Sequence, residues 1–164
     1  MRSLKKEDKL LKFFMKNELN IYNIWFSEVE KCCSLEKAVE ISMKVWSDIA
    51  RIDSHELSEI FKIEGNDLDD ILRLIDIGSY FTLTKIKINK TSDSTANITF
   101  TSCYWQKILK KRPSYNRKKL NCNTICLSAI SSYISSINPE YEVFFDKAIP
   151  LGDDCCTIII RKKR

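Results

Sequence analysis

Four of the seven cysteines in this 164-residue chain sit where thiol chemistry is conceivable: Cys103, Cys122, Cys126 and Cys156. Cys122 and Cys126 are four apart in "NCNTICLSAISSYISSI", a stretch that reads as a helix, so both thiols lie on one face, a turn apart. Cys155 and Cys156 are adjacent in "GDDCCTIII", at the start of an apolar β-branched run. Side chains alternate along a strand, so only Cys156 shares a face with Ile158 and Ile160, and Cys155 turns away. Cys103 closes a further strand just before Tyr104-Trp105. Four thiolates suit zinc, which makes it the one candidate cofactor, although no C-x-x-C pair or short knuckle accompanies them. The same four could line a pocket in which one acts as a thiolate nucleophile. The plain alternative is a core rich in small, soft side chains, and that is the reading for Cys32, Cys33 and Cys155.

An odd cysteine number cannot pair fully, and the N-terminus "MRSLKKEDKLLKFFMKNE" is basic and amphipathic rather than a secretory signal. The expected compartment is the cytoplasm, where thiols stay reduced. No run approaches a membrane-spanning length, so no transmembrane helix is expected. The formal charge of +5 is concentrated in "KILKKRPSYNRKK" (residues 107–119) and in the tail Arg161–Arg164. No nucleic-acid motif accompanies these clusters, so they read as solvated segments, the tail doubling as a guard on an apolar strand. Nucleic acid is not the expected partner. The single histidine, His55, stands beside Glu56 at what reads as a helix start; a surface role is expected there.

The chain length suits one domain, residues 1–164, with a helical region over 1–77 and a cysteine-bearing sheet region over 78–164. Ser3 is a candidate cap for a short helix carrying Leu10, Leu11, Phe13 and Phe14, and "IYNIWFSEVEKC" reads as a second helix. Ser34 caps a third, whose stripe is Leu35, Ala38, Val39, Met43, Trp46 and Ala50. Asp53 with Glu56 reads as a capping box opening a fourth helix, stopped by Gly65-Asn66, and Asp67 caps a fifth. From Gly78 the pattern turns to alternation: "SYFTLTKIKINK" and "ANITFTSCYW" read as a hairpin, "YWQKILKK" as a helix running into a basic loop at Pro113. The cysteine-bearing helix follows, with Ile125, Ala129, Tyr133 and Ile137 down one face, then strands "YEVFFDKA" and "CCTIIIR". Helices followed by β-β-α-β-β predict an α+β fold with an antiparallel sheet.

The order "CYWQ", "CNTIC", "INPEY" and "GDDCC" resembles the C-terminal part of the L-2-amino-thiazoline-4-carboxylic acid hydrolase family. The matching positions are Cys103, Trp105, Cys122, Cys126, Asn138, Pro139, Gly152, Asp153 and Cys156. "WFSEVEKCCSLEKAVEISMKVW" is similar to a related, uncharacterised family of archaeal and anaerobic bacterial proteins carrying the same domain. The resemblance spans about residues 21–160. It implies the ligand-binding fold of vinyl-reductase-type proteins and trafficking subunits, commonly paired as homodimers. It also implies hydrolytic opening of a cyclic amidine, a carbon–nitrogen bond outside peptides.

In that chemistry the thiol of Cys122 or Cys126, its pKa lowered by the helix N-terminus, attacks the amidine carbon or activates water, while Cys156 and Asp153 orient it or handle the proton. Cys103, Trp105 and Tyr133 would contact the ligand, and Arg117 or Lys118 could pair with a substrate carboxylate. Asp153, Asp154 and Gly152 also have a plain reading as turn residues. One departure matters: the family tends to carry an acid shortly after the second helix cysteine, where this chain has Leu127-Ser128-Ala129-Ile130, so a general base near the pocket is less obvious, which bears on the hydrolase reaction more than on the fold. The reading adopted is a small-molecule-binding protein related to these hydrolases, with cyclic-amidine hydrolysis as its candidate reaction. The alternatives are a non-catalytic ligand sensor and a zinc-stabilised interaction module.

Overall fold

A computed structural model describes the backbone of residues 2–110 and 122–164, and side chains from residue 7 onward within those spans. The elements are α1 (Arg2–Cys32), α2 (Leu35–Phe61), α3 (Leu68–Phe81), β1 (Lys85–Ser92), β2 (Thr95–Ser102), α4 (Tyr104–Leu109), α5 (Cys122–Ile137), β3 (Tyr141–Lys147) and β4 (Cys156–Lys162), with a 3-10 turn at Ile149–Leu151. The four strands form one antiparallel sheet in the order β1-β2-β4-β3. The expected α+β architecture, helices first and an antiparallel sheet after, is what the chain forms.

The sheet buries one face. Ile88 pairs with Ile98, Ile98 with Ile158, and Ile158 with Phe145, so one row of apolar side chains crosses all four strands. On this face Leu68, Ile71 and Leu72 of α3 and Ile134 of α5 pack against Ala96, Ile98, Ile158 and Ile160. The opposite face carries Thr99, Thr157 and Phe144, the last with the Arg161 guanidinium 4.7 Å above its ring. One-sided burial is the ordinary economy of an antiparallel sheet. A second cluster joins Tyr22 and Phe26 of α1, Ala38 of α2, Leu109 of α4, and Cys122 and Ile125 of α5. Between α2 and α5 the contact is made by small residues: Ser47 Oγ lies 2.7 Å from Ser128 Oγ, and Ser54 Oγ 2.6 Å from Ser136 Oγ.

Three helix boundaries differ from expectation. α1 is continuous from Arg2, so Ser3 lies inside it and the two expected N-terminal helices are one. α2 runs through Asp53 and Glu56 without interruption, because buried Ala50 and Ser54 hold that stretch on the same α5-facing side as the residues before it. α3 extends to Phe81, past the region boundary expected at Gly78, and β1 opens only at Lys85. Ser34 and Asp67 do cap as expected, accepting from the N–H groups of Lys37 and Asp70.

Both α2 and α3 end on non-glycine residues in the left-handed region, Lys62 at φ 51° and Leu83 at φ 52°. The following N–H groups reach back, Ile63 to Ser58 O at 2.9 Å and Thr84 to Ser79 O at 3.0 Å. This is the Schellman closure that glycine usually provides. A side chain at such a φ costs about 1 kcal/mol or more. Lys62 is exposed, and Lys62→Gly is expected to raise unfolding stability by about 1 kcal/mol. A denaturant midpoint that does not rise would mean that Lys62 makes compensating contacts. Pro113, Arg117 and Lys118, with most of the basic stretch, lie outside the described residues.

Candidate functional site

The sheet, α5 and the first two helices leave a cavity of about 190 Å³ between them, partly open to solvent. Each wall follows from local structure. β2 ends at Ser102, and Cys103 turns the chain into the short α4, which presents Trp105 and Gln106. The first turns of α5 supply Cys122, Asn123, Ile125 and Cys126, and its next turn Ala129 and Ile130. β4 begins on Cys156, paired across the sheet with Phe100, and both side chains face the cavity, as does Phe145 of β3. Leu19 of α1 and Trp46 of α2 close the helical side. Behind this wall Tyr22 contacts Trp46 and Trp105 at ring separations of 4.8 and 5.0 Å, an aromatic cluster that locks the Trp105 indole in place.

The structure therefore brings Cys103, Cys122, Cys126, Cys156 and Trp105 to one cavity. Cys155 is not among the lining residues; its thiol lies 3.8 Å from the Thr157 hydroxyl. Cys32 and Cys33 are exposed at the end of α1, not buried as expected.

The electrostatics run against an activated nucleophile. Burial pushes the Cys122 thiol up from its ordinary 9.0 to about 12, helped by the neighbouring Cys103 and Cys156. Burial raises Cys126 well above its ordinary value and raises Cys103 and Cys156 as well. The expected lowering by the helix N-terminus is thus overridden by loss of solvation. Gln106 Nε2 donates to Cys122 Sγ at 2.6 Å and the Ile149 N–H to Cys156 Sγ at 3.3 Å, while the backbone of Trp105 and Gln106 hydrogen-bonds to the Cys103 thiol. Among the described residues the cavity lining contains no histidine and no carboxylate. Ser128, the polar residue in the stretch that follows Cys126, is spent on Ser47 in the helix seam. Among the described residues no three His, Cys, Asp or Glu side chains form a set able to hold a metal ion. The four thiols share the cavity wall without converging as a ligand cage, so a tetrathiolate zinc site does not fit this arrangement.

Other expected site residues lie elsewhere. Asp153 Oδ2 accepts from the Ala148 N–H at 2.7 Å, which ties down the 3-10 turn before β4, and Gly152 in that turn has φ 120°, a conformation open to glycine. Tyr133 does not line the cavity; its hydroxyl donates to the Leu74 carbonyl at 3.1 Å. Asn138 is buried, its Nδ2 donating to Asn66 O and its Oδ1 accepting from the Glu140 N–H, so the Asn-Pro step anchors the α3 entry to β3. His55 is exposed within the last two turns of α2 and is not among the residues lining the cavity. Sequence reasoning missed Gln106, Asn123, Phe100, Phe145 and Trp46 as lining residues. Gln106 had a signal, as the polar member of "CYWQ"; the rest become visible only once strand register and helix packing are known.

Two buried polar atoms on lining residues, the indole Nε1 of Trp105 and the amide Oδ1 of Asn123, have no hydrogen-bond partner among the described residues. Such groups are rare in folded proteins and call for a partner.

Residues 2–150 match the model of a family described as "Family of unknown function (DUF6125)". The chain belongs to this family. No curated protein matches it. Among solved structures, the chain is similar to a trafficking protein particle complex subunit 3 from Naegleria fowleri, described as covalently bound to palmitic acid. That likeness has a TM-score of 0.68 at 15% identity, over 93% of this chain and 97% of the other. It is also similar to the phenol-responsive sensory domain of the transcription activator PoxR, solved with phenol, with a TM-score of 0.61 at 10% identity over 88% of this chain and 73% of that one. At these identities the likeness is one of fold. The named hydrolase family does not appear among these matches.

Proposed function

We propose that the protein binds a small, uncharged, ring-sized molecule in the thiol-lined cavity and holds it without converting it. The observation that carries this reading is the cavity: about 190 Å³, walled by Trp46, Phe100, Trp105 and Phe145 and by thiols that burial keeps protonated. Apolar cavities of about 150 Å³ are large enough for benzene. Neutral sulfur packs well against aromatic rings. The buried Trp105 N–H and Asn123 carbonyl put one donor and one acceptor without partners among the described residues on lining side chains, the two kinds of group that a ligand hydroxyl can hydrogen-bond. That similar folds hold phenol in one case and palmitic acid in another supports a ligand role, and the volume favours a ring over a long acyl chain. Hydrolysis of a cyclic amidine, the reaction implied by the sequence resemblance, would need a base, and among the described residues the lining has no histidine or carboxylate to serve as one.

Phenol and toluene have nearly the same shape and differ in the hydroxyl. Calorimetry is expected to show phenol binding up to about tenfold more tightly than toluene, the worth of one net hydrogen bond. Trp105→Phe should narrow that gap. If neither compound binds or raises Tm, the cavity is not a ring-sized ligand site.

A further inference from the structure

α1 carries two apolar faces, and the fold covers one of them. Met15, Leu19, Tyr22 and Phe26 are buried against the rest of the chain. On the far side Leu10, Phe14, Ile21 and Ile24 are 52%, 58%, 60% and 61% exposed. With Asn17 between them, these positions follow alternating steps of four and three along the helix, the heptad spacing of a seam between two helices. Phe13, 59% exposed, widens the row. This is not a scatter of single surface residues: five large apolar side chains occupy one face of one helix.

We infer that this row is the contact between two copies of the chain, which pair through antiparallel α1 helices. Three features on the same helix select that occupant. The first is charge. From Arg2 to Lys16 the sequence of α1 holds six Lys or Arg against Glu7 and Asp8, whereas from Asn17 to Cys32 it holds three Glu against Lys31. Antiparallel pairing sets the basic half of each helix beside the acidic half of the other, and parallel pairing sets like against like. The second is Asn17. It stands seven residues from both Leu10 and Ile24, so a two-fold axis near it brings the Leu10 end of one helix to the Ile24 end of its mate. A lone Asn within an apolar seam sets register at some cost in affinity. The third is area. The row offers roughly 500 Å² of exposed apolar surface per copy, so a symmetric pair buries on the order of 1,000 Å² before its polar rim is counted, which reaches the size of a specific interface. A two-fold contact needs only one self-complementary patch, and α1 supplies it.

A basic amphipathic helix also invites comparison with membrane-surface helices. The acidic second half, which would face an anionic surface along with the first, argues against that occupant.

Sedimentation velocity of the full chain should show a dimer. Phe14→Glu combined with Ile21→Glu should raise its Kd by about a hundredfold or more, since each change places a charge in the seam. Both positions are exposed in the protomer, so circular dichroism should report an unchanged fold. If the double variant unfolds, Ile24→Arg alone provides the same reading. In a Cys32→Ser/Cys33→Ser background, Asn17→Cys should give a covalent dimer on mild oxidation, and Leu10→Cys should not. A monomer at all concentrations overturns the inference, as does a dimer indifferent to these changes. Cross-linking through both Leu10→Cys and Asn17→Cys overturns the antiparallel arrangement. A monomer that sediments with phosphatidylserine vesicles and loses that property on Ile21→Glu would assign the row to a lipid surface instead.

Discussion

Raising the pH from below 9 to above 12 is expected to remove about 4 kcal/mol of folding stability through Cys122 alone. The direction follows from the two states. In the unfolded chain the thiol ionises at its ordinary 9.0; in the folded protein burial holds it protonated to about 12. Below pH 9 both states carry the proton and the stability is fully present. Above it the unfolded chain gives up the proton first, and stability falls until the folded thiol also ionises. Tyr22, pushed up to about 12 from its ordinary 10.0 by burial, and Tyr133, shifted the same way, steepen the loss from pH 10 onward. Urea midpoints measured across this range should fall steeply for the wild type. They should fall less steeply for Cys122→Ala, although that variant starts lower because it deletes a buried side chain. Parallel slopes for the two proteins would mean that the Cys122 thiol is not held protonated by the fold.

The second large effect is expected at the sheet. Ile158 is fully buried and sits mid-row, with Ile98 on one side and Phe145 on the other. Ile158→Ala removes buried methyl groups from a site that cannot collapse, because strands hold it on both flanks, and is expected to cost about 3–4 kcal/mol. Ile159 is its neighbour on the half-buried opposite face, and Ile159→Ala is expected to cost about 1 kcal/mol. Equal losses at the two positions would contradict a core confined to one face of the sheet.

What could be read from the residues alone was whatever local chemistry decides. Ser34 and Asp67 cap helices because their oxygens meet N–H groups three residues on, and nothing distant competes. Cys156 faces the cavity and Cys155 does not, because alternation in a strand is a property of the backbone. The failures have distant causes. Asp53-x-x-Glu56 has the form of a capping box, yet the helix continues because Ser54 meets Ser136, eighty-two residues away. α3 overran the expected boundary because its stop residue is Leu83, which carries no glycine signal for the left-handed turn it makes. The thiol environment was misjudged for the same kind of reason: the helix N-terminus is visible in sequence, but the burial that outweighs it is assembled from α1, α2, α4 and three strands.

The strand order β1-β2-β4-β3 has a consequence for biosynthesis. β1 and β2 form a hairpin from neighbouring residues and can close as soon as both have left the ribosome. β3 has no such option: among the described residues its only partner in the sheet is β4, which also pairs with β2 and is made last of the four. Until Cys156–Lys162 emerges, a nascent chain holds a hairpin and a stranded β3, each with an unsatisfied edge, and the wall of the cavity that carries Cys156 does not exist. The ligand site and the centre of the sheet are thus completed by the same seven residues, in a single late step, and a chain stalled before them has neither.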